Sequence, residues 1–311
     1  MPSTLTLFDQ PGRCKRADRG LAEVAGAAAL PLPEFAEQAH WTRFLADWCE
    51  PGQRAPSIGY QGEGDGREIV ALYNGLVLRS VFQPILSAST LLPVAFEALV
   101  RAKTLKGGEL VSPDELFARP GSQTQGILLD RICRFIHLLN FERQAPDSAT
   151  LYLNVGTLHL QALQRGQHGS FMGAMQTLCS VAPSRIILEI TETRFNDRDA
   201  LSAIVHSFKQ RGYLVAIDDF GARHSNFDRL WALTPDIVKI DRELLLQADS
   251  NPRVRKILPK LVEIMHDLQA SVVCEGIETS PQHDLALSSG ADLLQGYFFA
   301  RPARDLKPDC Q

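Results

Sequence analysis

The chain lacks any apolar run approaching the roughly 20 residues that a membrane-spanning helix needs. It also lacks a Cys-x-x-Cys pair and an excess of basic residues. The first absence excludes a helical membrane span. The second bears on its six cysteines, Cys14, Cys49, Cys133, Cys179, Cys274 and Cys310, which lie far apart with no histidine at metal-ligand spacing. They read as reduced thiols of a cytoplasmic protein rather than a disulfide framework or a zinc site. The third absence, with 32 basic against 36 acidic residues and a formal net charge of -4, argues against sequence-independent binding to a nucleic acid polymer. It does not exclude a nucleotide, whose phosphates metal ions could carry into an acidic pocket. Near the start, Arg13-Cys14-Lys15-Arg16 and the Ala-rich run from Leu21 to Leu32 imitate a secretory leader. Glu23 interrupts that run and the basic cluster lies well inside the chain, so it reads as a short helix.

What is present is ordinary globular composition, 45% hydrophobic and 22% charged, with a change of pattern near residue 66. Residues 1–66 form an accessory, mainly helical segment. A helix is expected from about Pro33 to Cys49, where Phe35, Ala39, Trp41, Phe44 and Trp48 recur at mixed helical spacing. Gly59, Gly62, Gly64 and Gly66 then read as a hinge or loop. A phosphate-loop reading of these glycines fails, because no strand precedes them and no Lys-Ser/Thr follows. Residues 67–304 alternate strand and helix, with helices expected around 126–142, 200–211, 252–269 and 282–289, before a tail at 305–311. No internal repeat is visible. The length and alternation predict an α/β fold, a (β/α)₈ TIM-type barrel.

Several apolar runs of this unit end in a polar group. Pro93–Phe96 runs into Glu97, Leu151–Leu153 into Asn154 and Ile186–Leu188 into Glu189. Leu214–Ile217 runs into Asp218-Asp219, Ile237-Val238 into Lys239 and Val272–Cys274 into Glu275. Singly, each acid could be a solvated strand end, and Asp-Asp-Phe-Gly a turn. Lys239 and Glu275 are harder to dismiss, because a charge beside such runs is costly to bury alone. Repetition at successive strand ends predicts one shared site at the carboxyl mouth of the barrel. An oxygen-rich set of this kind suits Mg²⁺ or Mn²⁺ rather than zinc.

The same residues carry a family resemblance. Phe82-Gln83-Pro84-Ile85, Glu97-Ala98-Leu99-Val100-Arg101, Leu188–Glu192, Asp218–Gly221, Lys239-Ile240-Asp241, Glu275–Thr279 and Gln295-Gly296-Tyr297 occur in an order that resembles the EAL-domain family of cyclic di-GMP phosphodiesterases. The resemblance implies a barrel with room for one antiparallel strand and hydrolysis of cyclic di-GMP to linear pGpG. It implies a two-metal site of Mg²⁺ or Mn²⁺ held by Glu97, Asn154, Glu189, Asp218, Asp219 and Glu275, with Lys239, Glu275 and Glu97 as the catalytic group. Glu192 and Glu278 would brace the loop carrying Asp219, and Gln83, Leu99, Arg101 and Gln295 would touch substrate. It further implies a homodimer through the barrel, and the N-terminal segment is expected to engage a regulatory protein partner.

Two departures stand out. Ala102-Lys103 replaces the tryptophan that commonly follows the arginine of the name motif. Ala222-Arg223-His224-Ser225-Asn226-Phe227 replaces a commonly Thr-Gly-Tyr/Phe-Ser-Ser-Leu loop, setting a bulky cation where a glycine is usual. The complete ligand set favours an enzyme, whereas the altered loop favours the alternative, a catalytically weak or inactive cyclic di-GMP receptor. An unrelated divalent-metal lyase on the same barrel is a third reading.

Overall fold

The structure is a computed structural model that describes residues 35–165, 171–191, 197–222 and 227–306, without the side chains of 65 and 227–229. The basic cluster and Ala-rich run, Glu192, the loop residues Arg223–Asn226 and the end of the tail lie outside the described residues. One sheet contains β1 (Ala36–Glu37), β2 (Ser57–Gln61), β3 (Glu68–Tyr73), β4 (Leu76–Ser87), β5 (Pro93–Thr104), β6 (Leu110–Val111), β7 (Thr150–Asn154), β8 (Ile186–Thr191), β9 (Leu214–Phe220), β10 (Ile237–Ile240), β11 (Ser271–Cys274) and β12 (Leu293–Leu294). Eight of these strands close a barrel. Strands β5, β7, β8, β9, β10, β11 and β12 run parallel in that order, and β4 pairs antiparallel with both β12 and β5. The antiparallel strand follows from chain length. Only a short turn joins β4 to β5, whereas parallel neighbours need a crossover, usually helical.

The helices are α1 (Ala39–Ala46), α2 (Pro113–Ala118), α3 (Gln123–Gln144), α4 (Thr157–Gln164), α5 (Phe171–Gln176), α6 (Arg198–Gln210), α7 (Phe227–Leu233), α8 (Arg242–Ser250), α9 (Pro252–Asp267) and α10 (Ser280–Ser288). The four helices expected from the sequence correspond to α3, α6, α9 and α10. Their caps explain the differences at the ends. Ser122 accepts from the Gln125 amide, which starts α3 before its apolar stripe. Thr279 and Gln282 form a reciprocal capping box that starts α10 at Ser280. Among the described residues no helix is long and apolar enough to cross a membrane.

Residues 35–66 hold α1 and also two strands. The helix expected from Pro33 to Cys49 is confined to Ala39–Ala46, with Trp41 and Leu45 buried. The glycine-rich stretch expected as a hinge is the strand β2 and the turn of a β2–β3 hairpin. Gly59 is required there by proximity, since a Cβ would lie 2.4 Å from the carbonyl oxygen of Ala36. Asn74 and Gly75, both at positive φ, form the two-residue turn from β3 to β4. The nearly wholly buried α3 packs against β3 and against the barrel strands β4, β5 and β7. Its Asn140 imitates a strand partner, accepting from the Ile69 amide at 2.9 Å and donating to the Ile69 carbonyl at 2.7 Å.

Candidate active site

The barrel interior holds two sets of side chains, one residue from each strand in each set. Ile85, Ala95, Tyr152, Ile187, Ala216, Ile237, Val273 and Leu293 form an apolar cluster separate from the outer core. Because strand side chains alternate faces, the residue two positions nearer the mouth also points inward. Those residues are Gln83, Glu97, Asn154, Glu189, Asp218, Lys239, Glu275 and Gln295. An apolar floor therefore carries a polar upper set, in which glutamate, aspartate, amide and lysine crowd one small volume.

Lys239 is its centre. The ammonium nitrogen is 3.1 Å from Asp218 Oδ1, 2.5 Å from Glu275 Oε1 and 3.7 Å from Glu97 Oε2, and it also contacts Glu189 Oε1. Glu97 Oε2 accepts from Gln295 Nε2 at 2.7 Å, and Glu97 Oε1 from Asn154 Nδ2 at 3.4 Å. Burial pushes the carboxyl groups of Glu189 and Glu275 well above the usual carboxylate range, against the pull of the Lys239 charge. Burial opposes the Lys239 charge too, but the surrounding carboxylates outweigh it and hold its pKa well above the usual value. Lys239 keeps its proton.

This is a cation-accepting set. Ligand oxygens of Glu97, Glu189 and Glu275 lie within 4.8 Å of one another. Glu189 Oε2 is buried with no hydrogen-bond partner, and Glu189 Oε1, Asp218 Oδ1 and Glu275 Oε1 all share the single Lys239 ammonium. One ammonium against four carboxylates leaves an excess of negative charge that one or two divalent cations would offset. All-oxygen donors of this type fit Mg²⁺ or Mn²⁺.

Local backbone explains the Asp218-Asp219 pair. In a regular strand, neighbouring side chains face opposite sides. Here the register of β9 against β10 shifts between Val238 and Ile240, and Asp219 has φ 59°. A bulge of this kind can re-aim one of two consecutive side chains. Gly221 follows at φ 97°, where a Cβ would lie 2.8 Å from Leu244.

The remaining predicted residues divide by position. Gln83 is in register with Glu97 across β4 and β5, and Gln295 bonds Glu97 directly, so both line the site. Leu99 and Arg101 continue up the Glu97 face of β5, with the Arg101 guanidinium donating to the Val100 carbonyl at 2.9 Å. Glu278 pairs with Arg242 at 2.7 Å and is partly exposed. One expectation changes: Glu97 does not end its strand. β5 continues to Thr104 because it forms a long hairpin with β4; what stops at Glu97 is the pairing with β7. The sequence reading missed Tyr152, although alternation with Asn154 marks it as inward-facing.

A family profile described as the EAL domain matches residues 71–302. The chain belongs to the EAL-domain family. Among curated relatives it is 28% identical over 223 residues to the probable cyclic di-GMP phosphodiesterase PdeA of Escherichia coli, covering 66% of this chain and 30% of that protein. It is 33% identical over 133 residues to the cyclic di-GMP phosphodiesterase RocR of Pseudomonas aeruginosa, covering 42% of this chain and 34% of that one. The chain thus spans about a third of these relatives' length. Among solved structures, the Bacillus subtilis YkuI protein with an EAL domain, in complex with substrate c-di-GMP and calcium, superposes at TM-score 0.65 and 26% identity, over 75% of this chain and 57% of that one. The EAL domain of Pseudomonas aeruginosa FimX bound to c-di-GMP shares the fold at TM-score 0.65 and 20% identity, over 75% of this chain and 93% of that one.

Proposed function

We propose that this EAL protein is a divalent-metal-dependent phosphodiesterase that hydrolyses cyclic di-GMP to linear pGpG. The observation that carries the reading is the buried ring of Glu97, Glu189, Asp218 and Glu275 around Lys239, complete at the mouth of an EAL barrel. Glu97, Asn154, Glu189 and Asp218 would hold one Mg²⁺ or Mn²⁺, and Asp218, Asp219 and Glu275 a second. When bound, such a pair polarises a phosphodiester and makes water acidic enough to serve as hydroxide.

The chain's own residues supply the rest. Lys239, fixed by carboxylates and fully protonated, sets a positive charge where the attacked phosphate gathers negative charge. It also orients the attacking water. Gln295 and Asn154 hold Glu97 from two sides through its separate oxygens. Gln83 and Leu99 wall the approach to the ring, and Arg101, higher on β5, offers a planar donor fork for phosphate or guanine. Glu278 and Glu192 would brace the loop after β9. The test is direct: purified protein, cyclic di-GMP and Mn²⁺, followed by chromatography for pGpG.

A second reading rests on the sequence Ala222-Arg223-His224 after Gly221. A chain with this altered loop could bind cyclic di-GMP without turnover and signal through a partner. Binding in Ca²⁺ with no pGpG in Mg²⁺ or Mn²⁺ would select that reading. A cytoplasmic location, a homodimer through the barrel, and a regulatory partner for residues 1–66 complete the proposal, with 67–304 as the unit that carries the chemistry.

A further inference from the structure

Tyr152 is the polar member of the barrel floor, and its seven partners there are apolar. Its phenol oxygen is buried and has no hydrogen-bond partner. Phenylalanine would fill the same space without the cost of burying an unbonded hydroxyl, so the hydroxyl needs a reason. Its position supplies one. Tyr152 stands in register with Glu97 on β5 and with Ile187 on β8, two positions below Asn154 and in line with Glu189 above Ile187. Side chains of paired residues in a parallel ladder project to the same face, so the ring lies inside the barrel beside the Glu97 stem. Ala95 and Ala216 are the small residues of the floor and leave room for it. Burial holds the phenol well above its ordinary pKa, and the Glu189 carboxylate raises it further. Glu189 Oε1 faces the Lys239 ammonium, and its Oε2 is buried with no hydrogen-bond partner. A donor without an acceptor thus lies in the floor, one layer below an acceptor oxygen, Glu189 Oε2, that has no donor.

We propose that Tyr152 is a positioning residue of the metal site, donating a hydrogen bond from the barrel interior to Glu189 and so fixing the carboxylate that a divalent cation meets. The inference rests on the reading of Glu189 as a metal ligand. Outer donors of this kind orient ligands and commonly change metal affinity ten- to a hundredfold.

The test is Tyr152→Phe in the full chain, stripped of metal and titrated with Mn²⁺ by calorimetry in the absence of nucleotide. The Mn²⁺ dissociation constant should rise about tenfold or more, while the metal-free melting temperature stays equal to or above that of the wild type. A merely structural tyrosine would leave Mn²⁺ binding unmoved, and a dissociation constant within about twofold of wild type would overturn the inference while leaving the metal site standing. Wild-type protein that binds no Mn²⁺ would overturn both. Should the variant fail to fold, the ultraviolet difference spectrum of the wild type decides. A tyrosine band that shifts and saturates with Mn²⁺ supports the contact, and an unmoved spectrum rejects it.

Discussion

Gln295 Nε2 donates a 2.7 Å hydrogen bond to Glu97 Oε2, joining residues 198 positions apart in sequence. The bond reaches across β4, which separates β12 from β5 in the barrel. The antiparallel strand therefore closes the barrel while a side-chain bond over its inner face draws the first and last parts of the site together.

Glu97 is the residue that this arrangement serves, and it is not part of the apolar core. Glu97→Ala should abolish hydrolysis, with a loss of at least about a hundredfold, and leave the far-ultraviolet spectrum unchanged. Turnover at the wild-type rate would remove Glu97 from the metal site.

Lys239→Ala should separate chemistry from binding. Cyclic di-GMP and metal affinity should persist in calorimetry, while the rate falls about a hundredfold or more. A second effect follows from the structure. Without metal, four carboxylates lose their shared ammonium, and stripping one partner from a buried ion pair typically costs about 3–5 kcal/mol. The metal-free variant should melt well below the wild type and recover on adding Mg²⁺.

Why the ring was legible in the sequence, and the floor and accessory strands were not, has a physical basis. Each ring residue is a polar group next to an apolar run, a pattern that costs free energy unless a site uses it, so Glu189, Lys239 and Glu275 announce themselves. Tyr152 breaks no rule of strand composition, because tyrosine is a good strand former; only its place inside a closed barrel makes its hydroxyl conspicuous. The β2–β3 hairpin was hidden because Gly59 and the turn glycines resemble a linker, and it takes the passing Ala36 backbone to show that glycine is there for proximity. The extension of β5 past Glu97 depends on β4 lying opposite, a long-range pairing that no local pattern records.

His137 gives the fold a pH dependence. Burial, with the Arg101 charge adding to it, lowers its pKa to about 3, and its Nδ1 meets Ser80 Oγ at 2.8 Å. Between the unfolded value near 6.5 and about 3, the unfolded chain binds a proton that the folded chain refuses, so stability falls as pH drops through this window. At about 1.4 kcal/mol per pH unit, the loss from this group at pH 5 is about 2 kcal/mol. Urea unfolding at pH 7 and pH 5 should show a drop that is smaller by that amount in His137→Gln. Equal drops would assign the acid sensitivity elsewhere.

Removing residues 1–66 should cost stability even where the chemistry survives. The cut strips β2 from β3, removes the buried Trp41, Leu45 and Ile58, and takes away Trp48, whose ring lies 5.0 Å from the Arg131 guanidinium and edge-to-face against Phe171. An exposed strand edge and a buried arginine left half-covered both favour aggregation or loosening. A chain starting at residue 67 is expected to melt lower than one starting at residue 35 while retaining Mn²⁺ binding. Loss of Mn²⁺ binding in a folded, soluble fragment would mean that the accessory segment completes the site.

The carboxylate ring around Lys239 is expected to hydrolyse cyclic di-GMP with bound metal. The most direct measurement is chromatography of cyclic di-GMP incubated with the wild type and with Glu97→Ala, each with Mn²⁺ and with a chelator. The account predicts linear pGpG from the wild type with Mn²⁺ and from none of the other three mixtures. Intact cyclic di-GMP in all four, from protein that binds Mn²⁺ and the nucleotide, would contradict it and leave the receptor reading in its place.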